Sequence, residues 1–318
     1  MMNGDQPTVT CLVLCYNQAG YVERALASVQ AQEYKNLDVI IIDDSSSDSS
    51  VTVIRQFLEH HNLPWRCISH GTNRGICATL NEGLELARGA LVGLLAADDE
   101  WLPGWVSVGL GEYLRRRRSI PDLAGVIADA IEVDENGGKV SDSFIRARAG
   151  KWPRAAGLFP RLLHGNFLPA CAGLVRRDLM LELGGFDENL LYEDWDFWLR
   201  VTKAHHMELI DQPMIKYTRH PGSMSDRMKK NIETIVSNAK IMSKHIGIDE
   251  EYDALIFDAL WADLWALSSN RHRFRRVVAE TCYKLTTQRR KKVYALCVMA
   301  GLPHEFCSVV SRTLSLSF

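Results

Sequence analysis

The first hundred residues alternate between short, almost continuous apolar runs and longer segments in which apolar residues recur with helical spacing. Runs of strand length cover residues 9–15, 39–42, 67–69 and 90–96. A strand without a polar face is buried on both sides, as in a sheet that helices cover. Strands that alternate with helices form parallel sheets through right-handed crossovers. We therefore predict an α/β fold with a Rossmann-like, mainly parallel sheet flanked by helices, the third of which ends at Gly89.

The chain changes character after its first half. We expect another strand at residues 125–130 and a hairpin turn at Asn136-Gly137. From about residue 228 the sequence is rich in Ala, Leu and Lys and favours helices. These patterns predict a main domain at residues 1–225 and a helical C-terminal region at residues 226–318.

Polar side chains follow the predicted strands at the points where the strands end. They are Asn17, Asp43, Asp44, Asn73 and Asp98. In open parallel sheets, ligands bind beyond the carboxyl ends of the strands. We therefore expect these five side chains to converge on one crevice.

The first acidic cluster is Asp43-Asp44, which precedes a run of serines. A carboxylate there could accept a hydrogen bond from the N–H group of a uracil-like base. The alternative is a solvated helix N-terminus, where Asp and Ser are favoured in any protein. The cluster alone does not decide between these two interpretations.

The second acidic cluster, Asp98-Asp99-Glu100, follows a hydrophobic strand directly. Carboxylates at this density repel one another unless a cation lies between them. Hard oxygen ligands suit Mg²⁺ or Mn²⁺ and leave coordination positions for substrate phosphates. An exposed acidic loop is the weaker interpretation, because Trp101, Leu102 and Trp105 follow immediately.

The third acidic cluster, Glu193-Asp194-Trp195-Asp196, interleaves acids with aromatic residues. This pattern predicts partly buried carboxylates, and burial raises a carboxyl pKa towards the range of a general base. The alternative is a helix start that is capped by acids. His220 lies in a turn, where a lone histidine is more often structural than catalytic.

Several classes of protein are excluded by missing motifs. The chain contains no G-x-G-x-x-G after its first strand, no phosphate-binding P-loop, no G-x-S-x-G and no H-E-x-x-H. The net charge of -2 gives no global reason to expect a nucleic-acid partner. The eight cysteines include no C-x-x-C pair, and no apolar run is long enough for a membrane span. We expect a reduced, cytoplasmic protein.

The order of these motifs resembles glycosyltransferase family 2, a group of inverting enzymes with the GT-A fold. The resemblance covers about residues 8–223. It is carried by the matching stretches Val9–Asn17, Ser28–Gln32, Ile42–Asp48, Asn73–Gly75, Asn81–Gly83, Ala87–Gly89, Asp98–Pro103, Gly184–Asp187 and Glu193–Asp196.

The resemblance implies roles for individual positions. Asn17 with Asp43 or Asp44 corresponds to the nucleoside-binding pair, and Asn73 with Arg74 to the site that holds base and ribose. Asp98 and Asp99 correspond to the end of the D-x-D-D signature that binds metal and ribose, and His220 to a histidine near the diphosphate or metal. Asp194 corresponds to the general base of the E-D motif. The other substrate-binding candidates within the matching stretches are Cys15, Asn81 and Glu193.

One position departs from the family pattern, because Ala96 stands where D-x-D-D begins with aspartate. The implied function is a metal-dependent, inverting transfer of a sugar from a nucleoside diphosphate sugar, with UDP as the expected nucleotide. The acceptor would be the hydroxyl of a glycan or a lipid-linked glycan in cell-surface polysaccharide or glycoconjugate synthesis. The alternative that Ala96 raises is a catalytically impaired, sugar-nucleotide-binding scaffold subunit.

The helical C-terminal region carries basic clusters at residues 271–276 and 289–292 beside apolar helix faces. One interpretation is peripheral contact with the anionic inner face of the cell membrane, where lipid-linked acceptors reside. The alternative is a set of solvated helix faces.

Overall fold

The computed structural model describes residues 6–153, 157–228 and 231–313, with the backbone alone for Arg289, Arg312 and Thr313. The chain divides into two compact units, Met1–Pro221 and Gly222–Phe318.

A single sheet organises the described part of the first unit. Its strands are β1 Val9–Cys15, β2 Leu37–Asp43, β3 Arg66–Ser69, β4 Leu91–Ala96, β5 Glu100–Trp101, β6 Leu123–Asp134, β7 Lys139–Ser141, β8 Gly173–Arg176 and β9 His206–Arg219. Their order is β3-β2-β1-β4-β8-β6-β9-β5, and β7 pairs with β6. Six strands (β1 to β4, β6 and β9) run in one direction, while β5, β7 and β8 are antiparallel to their neighbours. The predicted mainly parallel sheet is confirmed.

Helices flank this sheet and connect its strands. They are α1 Val22–Gln30, α2 Ser50–His60, α3 Ile76–Leu86, α4 Trp105–Arg117, α5 Phe144–Ala149, α6 Leu158–Leu162, α7 Arg177–Glu182 and α8 Asp194–Ala204, with a 3-10 turn at Ala170–Ala172. In α1 the residues that repeat with helical spacing, Val22, Ala25, Leu26 and Val29, are all buried. Burying a Leu or Val side chain contributes about 1.5–3 kcal/mol, so this apolar face holds the helix on the sheet.

The end of α3 differs from the expectation. The helix ends at Leu86, and Ala87 is already extended. Gly89 lies against β1 instead, where its N–H donates to the Thr10 hydroxyl over 2.8 Å. A Cβ atom on Gly89 would lie 2.4 Å from the Thr10 nitrogen. The glycine therefore permits a close backbone approach between the chain before β4 and β1, rather than ending a helix.

The pairing of β5 with β9 brings distant parts of the chain together. Glu100 pairs with Lys216 and Trp101 with Ile215, just after the acidic end of β4. The strand β6 is longer than expected because it pairs with β9 along almost its whole length. The end of β9 therefore lies beside the end of β4, and His220 follows β9 directly.

The described part of the second unit is helical, as expected. Its helices are α9 Met224–Met228, α10 Ile232–Ser243, α11 Glu250–Ser269, α12 Arg275–Leu285, α13 Arg289–Met299 and α14 His304–Thr313. Ile256, Leu260, Leu264 and Leu267 from α11 are fully buried and form the centre of this unit. Among the described residues, no helix combines the length and the hydropathy that a membrane span needs.

Candidate functional site

The carboxyl ends of β1 and β2 are joined by side chains that close a tight loop. Asn17 adopts a left-handed backbone conformation with φ of 54°. Its side-chain oxygen accepts from the Ser47 N–H over 2.7 Å, and its own N–H donates to the Ser46 hydroxyl over 2.8 Å. Asp43 is completely buried and accepts from both the N–H and the hydroxyl of Ser46. Asp43 therefore holds the serine loop in place, while Asn17 lies at the surface of that loop.

Asp44 is the centre of a second group of contacts. Its Oδ1 accepts from the Arg74 N–H over 2.8 Å and from His70 Nδ1 over 2.7 Å, and its Oδ2 accepts from the Gly75 N–H over 2.9 Å. The side-chain amide of Asn73 donates to the Asp44 carbonyl over 3.1 Å. The predicted nucleoside-binding residues Asp44, Asn73 and Arg74 therefore lie together.

His70 and Glu82 complete this group and were not predicted. The ring of His70 is held between two carboxylates, because its Nε2 lies 3.1 Å from Glu82 Oε2. The Arg74 guanidinium also pairs with Glu82. His70 directly follows the end of β3. The criterion that identified Asn17 and Asp98, a polar residue just after a strand, would therefore have identified His70 as well.

Two other predicted substrate-binding residues hold the structure of the site. Burial raises the pKa of the Cys15 thiol to about 12, so this thiol is neutral. The side chain of Asn81 bridges to the Phe186 backbone, donating to its carbonyl over 2.9 Å and accepting from its N–H over 2.8 Å. It also donates to Glu188 over 2.9 Å. Asn81 thus fixes the loop that leads to Asp194.

Asp98 and His220 form a pair at the end of β4. His220 Nε2 lies 3.1 Å from Asp98 Oδ2, and the His220 ring stacks on Tyr21 with centroids 4.5 Å apart. The hydrogen bond that His220 donates to the Asp98 carboxylate raises the His220 pKa more than burial lowers it. His220 lies near the end of the predicted first domain in the sequence, and the fold places it beside the acidic end of β4.

Asp99 is placed differently from Asp98. It is only 4% exposed, and its Oδ1 accepts from the Thr218 N–H in β9 over 2.8 Å. Burial, and then the neighbouring Asp98 charge, raise the Asp99 pKa. Little of this carboxylate is open to a ligand.

Asp194 is the first residue of α8 and is half-buried. Its Oδ2 accepts from the Asn166 side-chain amide over 2.7 Å. Burial raises the Asp194 pKa to about 6, against hydrogen bonds from backbone N–H groups and Asn166 that favour the charged form. Burial and the Asp194 charge raise the Glu193 pKa to about 8. The hydrogen bonds to Asp194 favour its charged form, so Asp194 is the carboxylate of the pair that ionises first and can accept a proton.

The segment between residues 166 and 172 connects Asp194 to the Asp98 region. Asn166 binds Asp194 at one end of the segment, and the Cys171 thiol lies in hydrogen-bonding contact with Asp99 at the other. The Cys171 carbonyl also accepts from the Trp101 indole over 3.1 Å. This segment therefore links the surroundings of Asp194 to those of Asp99.

The next acid of the third cluster, Asp196, helps to hold the loop that precedes α8. Asp196 is completely buried and pairs with Arg200 over 2.8 Å. Arg200 also donates to the carbonyls of Leu183 and Gly185, at 2.9 Å and 2.7 Å. The cluster of acids and aromatic residues thus contains one structural ion pair beside the predicted base.

A cavity of about 320 Å³ lies away from this edge, where β2 and β3 begin. Asp38, one of its polar lining groups, is already bonded to Arg66, to Thr10 and to the Arg88 N–H. The cavity is therefore separate from the cluster of predicted site residues.

Comparison with protein families decides the class. Residues 10–183 match the family described as glycosyl transferase family 2, and residues 141–248 match a glycosyltransferase-like family 2. The chain belongs to glycosyl transferase family 2. The match covers β1 to β4 with the Asp44 and Asp98 groups, which supplied most of the predicted motifs.

Individual relatives of this family 2 chain are moderately similar. An uncharacterized Mycobacterium tuberculosis protein, MT1568, is 29% identical over 63% of this chain and 63% of its own length. The putative glycosyltransferase EpsH of Bacillus subtilis is 26% identical over 86% of this chain and 82% of its own. The succinoglycan biosynthesis protein ExoO of Rhizobium meliloti is 29% identical over 51% of this chain and 43% of its own.

Two solved structures share the fold. S. aureus TarS residues 1–349, in complex with UDP-GlcNAc, superposes with a TM-score of 0.63 at 15% identity, covering 96% of this chain and 89% of that one. The mannosyltransferase PcManGT of Pyrobaculum calidifontis, in complex with GDP-Man and Mn²⁺, gives 0.58 at 15% identity, covering 98% and 88%. The predicted GT-A fold is confirmed.

The side chains beside β4 supply too few ligands to enclose a metal ion by themselves. They fit an ion that also takes ligands from the substrate. Ala96 is the last residue of β4 and supplies no side-chain oxygen. Among the residues that the structure describes, no three His, Cys, Asp or Glu side chains are placed to hold an ion. Asp98 and His220 nevertheless present an oxygen and a nitrogen 3.1 Å apart. Mg²⁺ commonly takes one or two carboxylates together with substrate phosphates, and imidazole is a common ligand of first-row metals.

Proposed function

We propose that this family 2 chain transfers a sugar from a UDP-sugar to a hydroxyl acceptor with inversion at the anomeric carbon. The observations that support the proposal are the Asp44 group and the Asp98–His220 pair at the carboxyl ends of neighbouring strands, and a half-buried Asp194 whose pKa burial raises to about 6. A donor that spans the first two groups would present its sugar towards the third.

The contacts of Asp44 favour a base with one N–H donor. A carboxylate offers about four hydrogen-bonding positions. Three are already occupied by His70, Arg74 and Gly75, which leaves one. The imide N–H of uracil fills one position, whereas guanine presents two adjacent N–H donors that need two acceptors. UDP is therefore the nucleotide that this group fits best.

Asp98 and His220 are the residues that would hold Mn²⁺ or Mg²⁺, and the diphosphate of the donor would bind next to them. When bound, the ion neutralises charge that develops on the leaving diphosphate. His220 is stacked on Tyr21, so its ring is held ready in one orientation. Asp99 stays a predicted ligand, although its main contact is the backbone of β9.

Asp194 acts as the general base. It accepts the proton of the acceptor hydroxyl as that oxygen bonds to the anomeric carbon, and the diphosphate leaves with the electron pair of the bond that breaks. Asp194 receives the hydrogen bonds that favour a charged carboxylate, so it is the member of the pair that ionises first. One base and one displacement produce inversion.

The test is Asp194→Asn, which keeps the shape of the side chain and removes its basicity. We expect transfer from UDP-sugars to fall by about a hundredfold to ten-thousandfold, the usual contribution of a general base. UDP affinity by calorimetry should stay unchanged. Full turnover in this variant would remove Asp194 from the role.

Asp98→Ala provides the complementary measurement, because it should weaken UDP binding only when Mn²⁺ is present. If the wild-type chain binds UDP but neither transfers nor hydrolyses any UDP-sugar, the scaffold interpretation raised by Ala96 holds instead.

The setting we propose is the synthesis of a cell-surface polysaccharide or glycoconjugate, and the similarity to the succinoglycan biosynthesis protein ExoO supports it. The second unit is proposed to contact acceptor, partner or membrane. It exposes Val277, Leu296, Phe306 and Val309, each by about half or more, close in sequence to the basic clusters. Apolar side chains beside cations suit an anionic lipid surface.

A further inference from the structure

The stretch between Asp142 and Asp178 has an unusual charge composition. It contains no Asp or Glu. Its cations before residue 170 are Arg146, Arg148, Lys151, Arg154 and Arg161. Arg154 lies outside the described residues. We call residues 144–153 and 157–166 the basic segment.

The basic segment is attached to the start of α8, where Asp194 lies. Asn166 donates to the Asp194 carboxylate over 2.7 Å, and the Leu162 carbonyl accepts from the Trp195 indole over 2.7 Å. Arg161 donates to the Ala149 carbonyl over 3.1 Å, which ties α6 to the end of α5. The helix that carries Arg148 is thus linked to the general base through one short chain of hydrogen bonds.

Positive charge is in excess beside this base. Arg148 pairs with Glu132 over 2.9 Å, and Arg219 lies 3.6 Å from the same carboxylate. The Glu132 side chain is 3% exposed, so two guanidinium groups share one buried acid. Arg148 itself is partly exposed and is held over the Phe144 ring. By contrast, Arg146 is neutralised by Asp211 and Asp129.

Lys151 adds an exposed cation to the partly neutralised Arg148. Its side chain is exposed, and it forms no ion pair with any residue in the described part of the chain. It lies three residues after Arg148 on the loop that leaves α5. Cations that are not paired with acids bind phosphate and carboxylate groups through charge-assisted hydrogen bonds.

We infer that the acceptor carries an anionic group, a phosphate or a carboxylate, near the hydroxyl that is glycosylated, and that Arg148 and Lys151 bind this group. The inference rests on the proposed function, because an acceptor hydroxyl that reaches Asp194 places the rest of the acceptor against the groups beside Asp194. The basic segment supplies those groups. A phosphate would come from a lipid phosphate or a phosphate-containing glycan, and a carboxylate from a uronic acid.

The test measures binding of matched probes to the full chain by calorimetry, with saturating UDP and Mn²⁺ present so that the diphosphate site is filled. The probes are octyl glucoside, octyl glucuronide and octyl phosphate, all below their micelle concentrations. The first two differ only by the carboxylate. We expect at least one anionic probe to bind about tenfold or more tightly than the glucoside, the gain of about one charge-assisted hydrogen bond.

Arg148→Gln should reduce that preference to within about twofold, and Arg148→Lys should retain part of it, because a lysine keeps the charge without the guanidinium fork. Arg118→Gln makes the same charge change where α4 has ended, and it should leave the preference intact. Lys151→Gln, at an exposed loop position, gives the second measurement if Arg148→Gln does not fold.

Equal binding of the glucoside and both anionic probes, or an anion preference that survives both Arg148→Gln and Lys151→Gln, overturns the inference. Neither result bears on glycosyl transfer itself. The proposed function fails instead if the chain does not bind UDP or if Asp194→Asn transfers sugar at the wild-type rate.

Discussion

Glu193 and Asp194 are adjacent carboxylates with different hydrogen-bonding environments. Burial raises both pKa values, but Asp194 receives hydrogen bonds from Asn166 and from backbone N–H groups that stabilise its charge. The Asp194 charge in turn raises the Glu193 pKa. One proton acceptor in a partly apolar environment is the arrangement that a general base near neutral pH requires.

Asn166→Leu should shift the pH profile of transfer. Protonated Asp194 cannot accept a proton, so wild-type kcat should fall below about pH 6, by about tenfold for each further unit. Without the Asn166 N–H the charged carboxylate loses a donor, its pKa rises, and the acidic limb moves to higher pH. Thr202→Ala, near the other end of α8, is the control and should leave the limb in place. A limb that does not move in Asn166→Leu contradicts the role assigned to this amide.

His70→Leu should weaken donor binding more than catalysis. His70 bridges Asp44 and Glu82, so its removal frees the Asp44 carboxylate from one of three partners. A hydrogen bond to a charged group contributes about 1.5–3 kcal/mol, which predicts a roughly tenfold to hundredfold increase in KM for the UDP-sugar. The kcat should change far less.

The matched control is His60→Leu, on the exposed end of α2. Steady-state kinetics of both variants at neutral pH make the measurement. An unchanged KM in His70→Leu would show that Asp44 keeps its orientation without the imidazole.

At the scale of elements, a short strand and a short loop position Asp194 and the Asp98–His220 pair. The two-residue strand β5 carries the chain from the end of β4 onto β9, and this pairing brings His220 to Asp98. The loop before α8 contains Gly184 and Gly185, with φ of 78° and 65°. Its backbone is bonded to Asn81 and to Arg200. Each piece is held by side chains from distant parts of the chain.

Gly185→Ala should destabilise the first unit by about 2–3 kcal/mol, the cost of a left-handed backbone for alanine together with a steric clash. A Cβ atom at this position would lie 2.4 Å from the Asn81 side-chain oxygen. Gly111→Ala is the matched control, because this exposed glycine lies in α4 with no atom within 4 Å of a new Cβ. In a helix that change should stabilise by about 0.5–1 kcal/mol. Urea unfolding followed by circular dichroism gives both values, and equal effects would refute the assigned strain.

At the scale of the whole molecule, the two units carry different surfaces. In the first unit, Asp44 and Asp98 lie at the carboxyl ends of the strands, and the basic segment contacts Asp194. The second unit exposes Phe306 and Val309 on one helix, and its exposed cations include Arg271, Arg273 and Arg290. A chain that glycosylates lipid-linked acceptors would use such a surface to stay near them.

Binding to vesicles should therefore depend on both charge and apolar contact. With vesicles of phosphatidylglycerol we expect the chain to sediment at low salt and to be released at about 0.5 M salt, because screening shortens the reach of the surface potential. Vesicles of phosphatidylcholine should bind little. Val309→Ser should weaken sedimentation, whereas Val140→Ser, at a half-exposed valine on β7, should not. If the chain does not sediment with these vesicles even at low salt, the basic clusters are solvated helix faces and not a membrane-binding surface.

Local patterns were enough to predict the alternating elements and the residues at the strand ends. A strand buried on both faces must be apolar throughout, and its carboxyl end must turn polar where it meets ligand and water, so Asn17, Asp44 and Asp98 stand out in the sequence. Family resemblance added the base, Asp194, whose acidic neighbours alone fit a capped helix equally well. The roles predicted for Asp43, Asn81 and Cys15 stay predictions, and Asp43 and Asn81 also hold loops of the site through their hydrogen bonds.

Only the tertiary structure decided which distant side chains meet. Asn166 and Arg148 lie 28 and 46 positions from Asp194 in loops and short helices without periodicity, so no local pattern relates them to the base. His220 reaches Asp98 through the pairing of β5 with β9, and long-range pairing depends on the packing of the whole sheet. The sequence by itself determined the chemistry at the edge of the sheet, while folding determined which carboxylates are exposed, paired or raised in pKa, because those properties depend on neighbours that only the fold brings together.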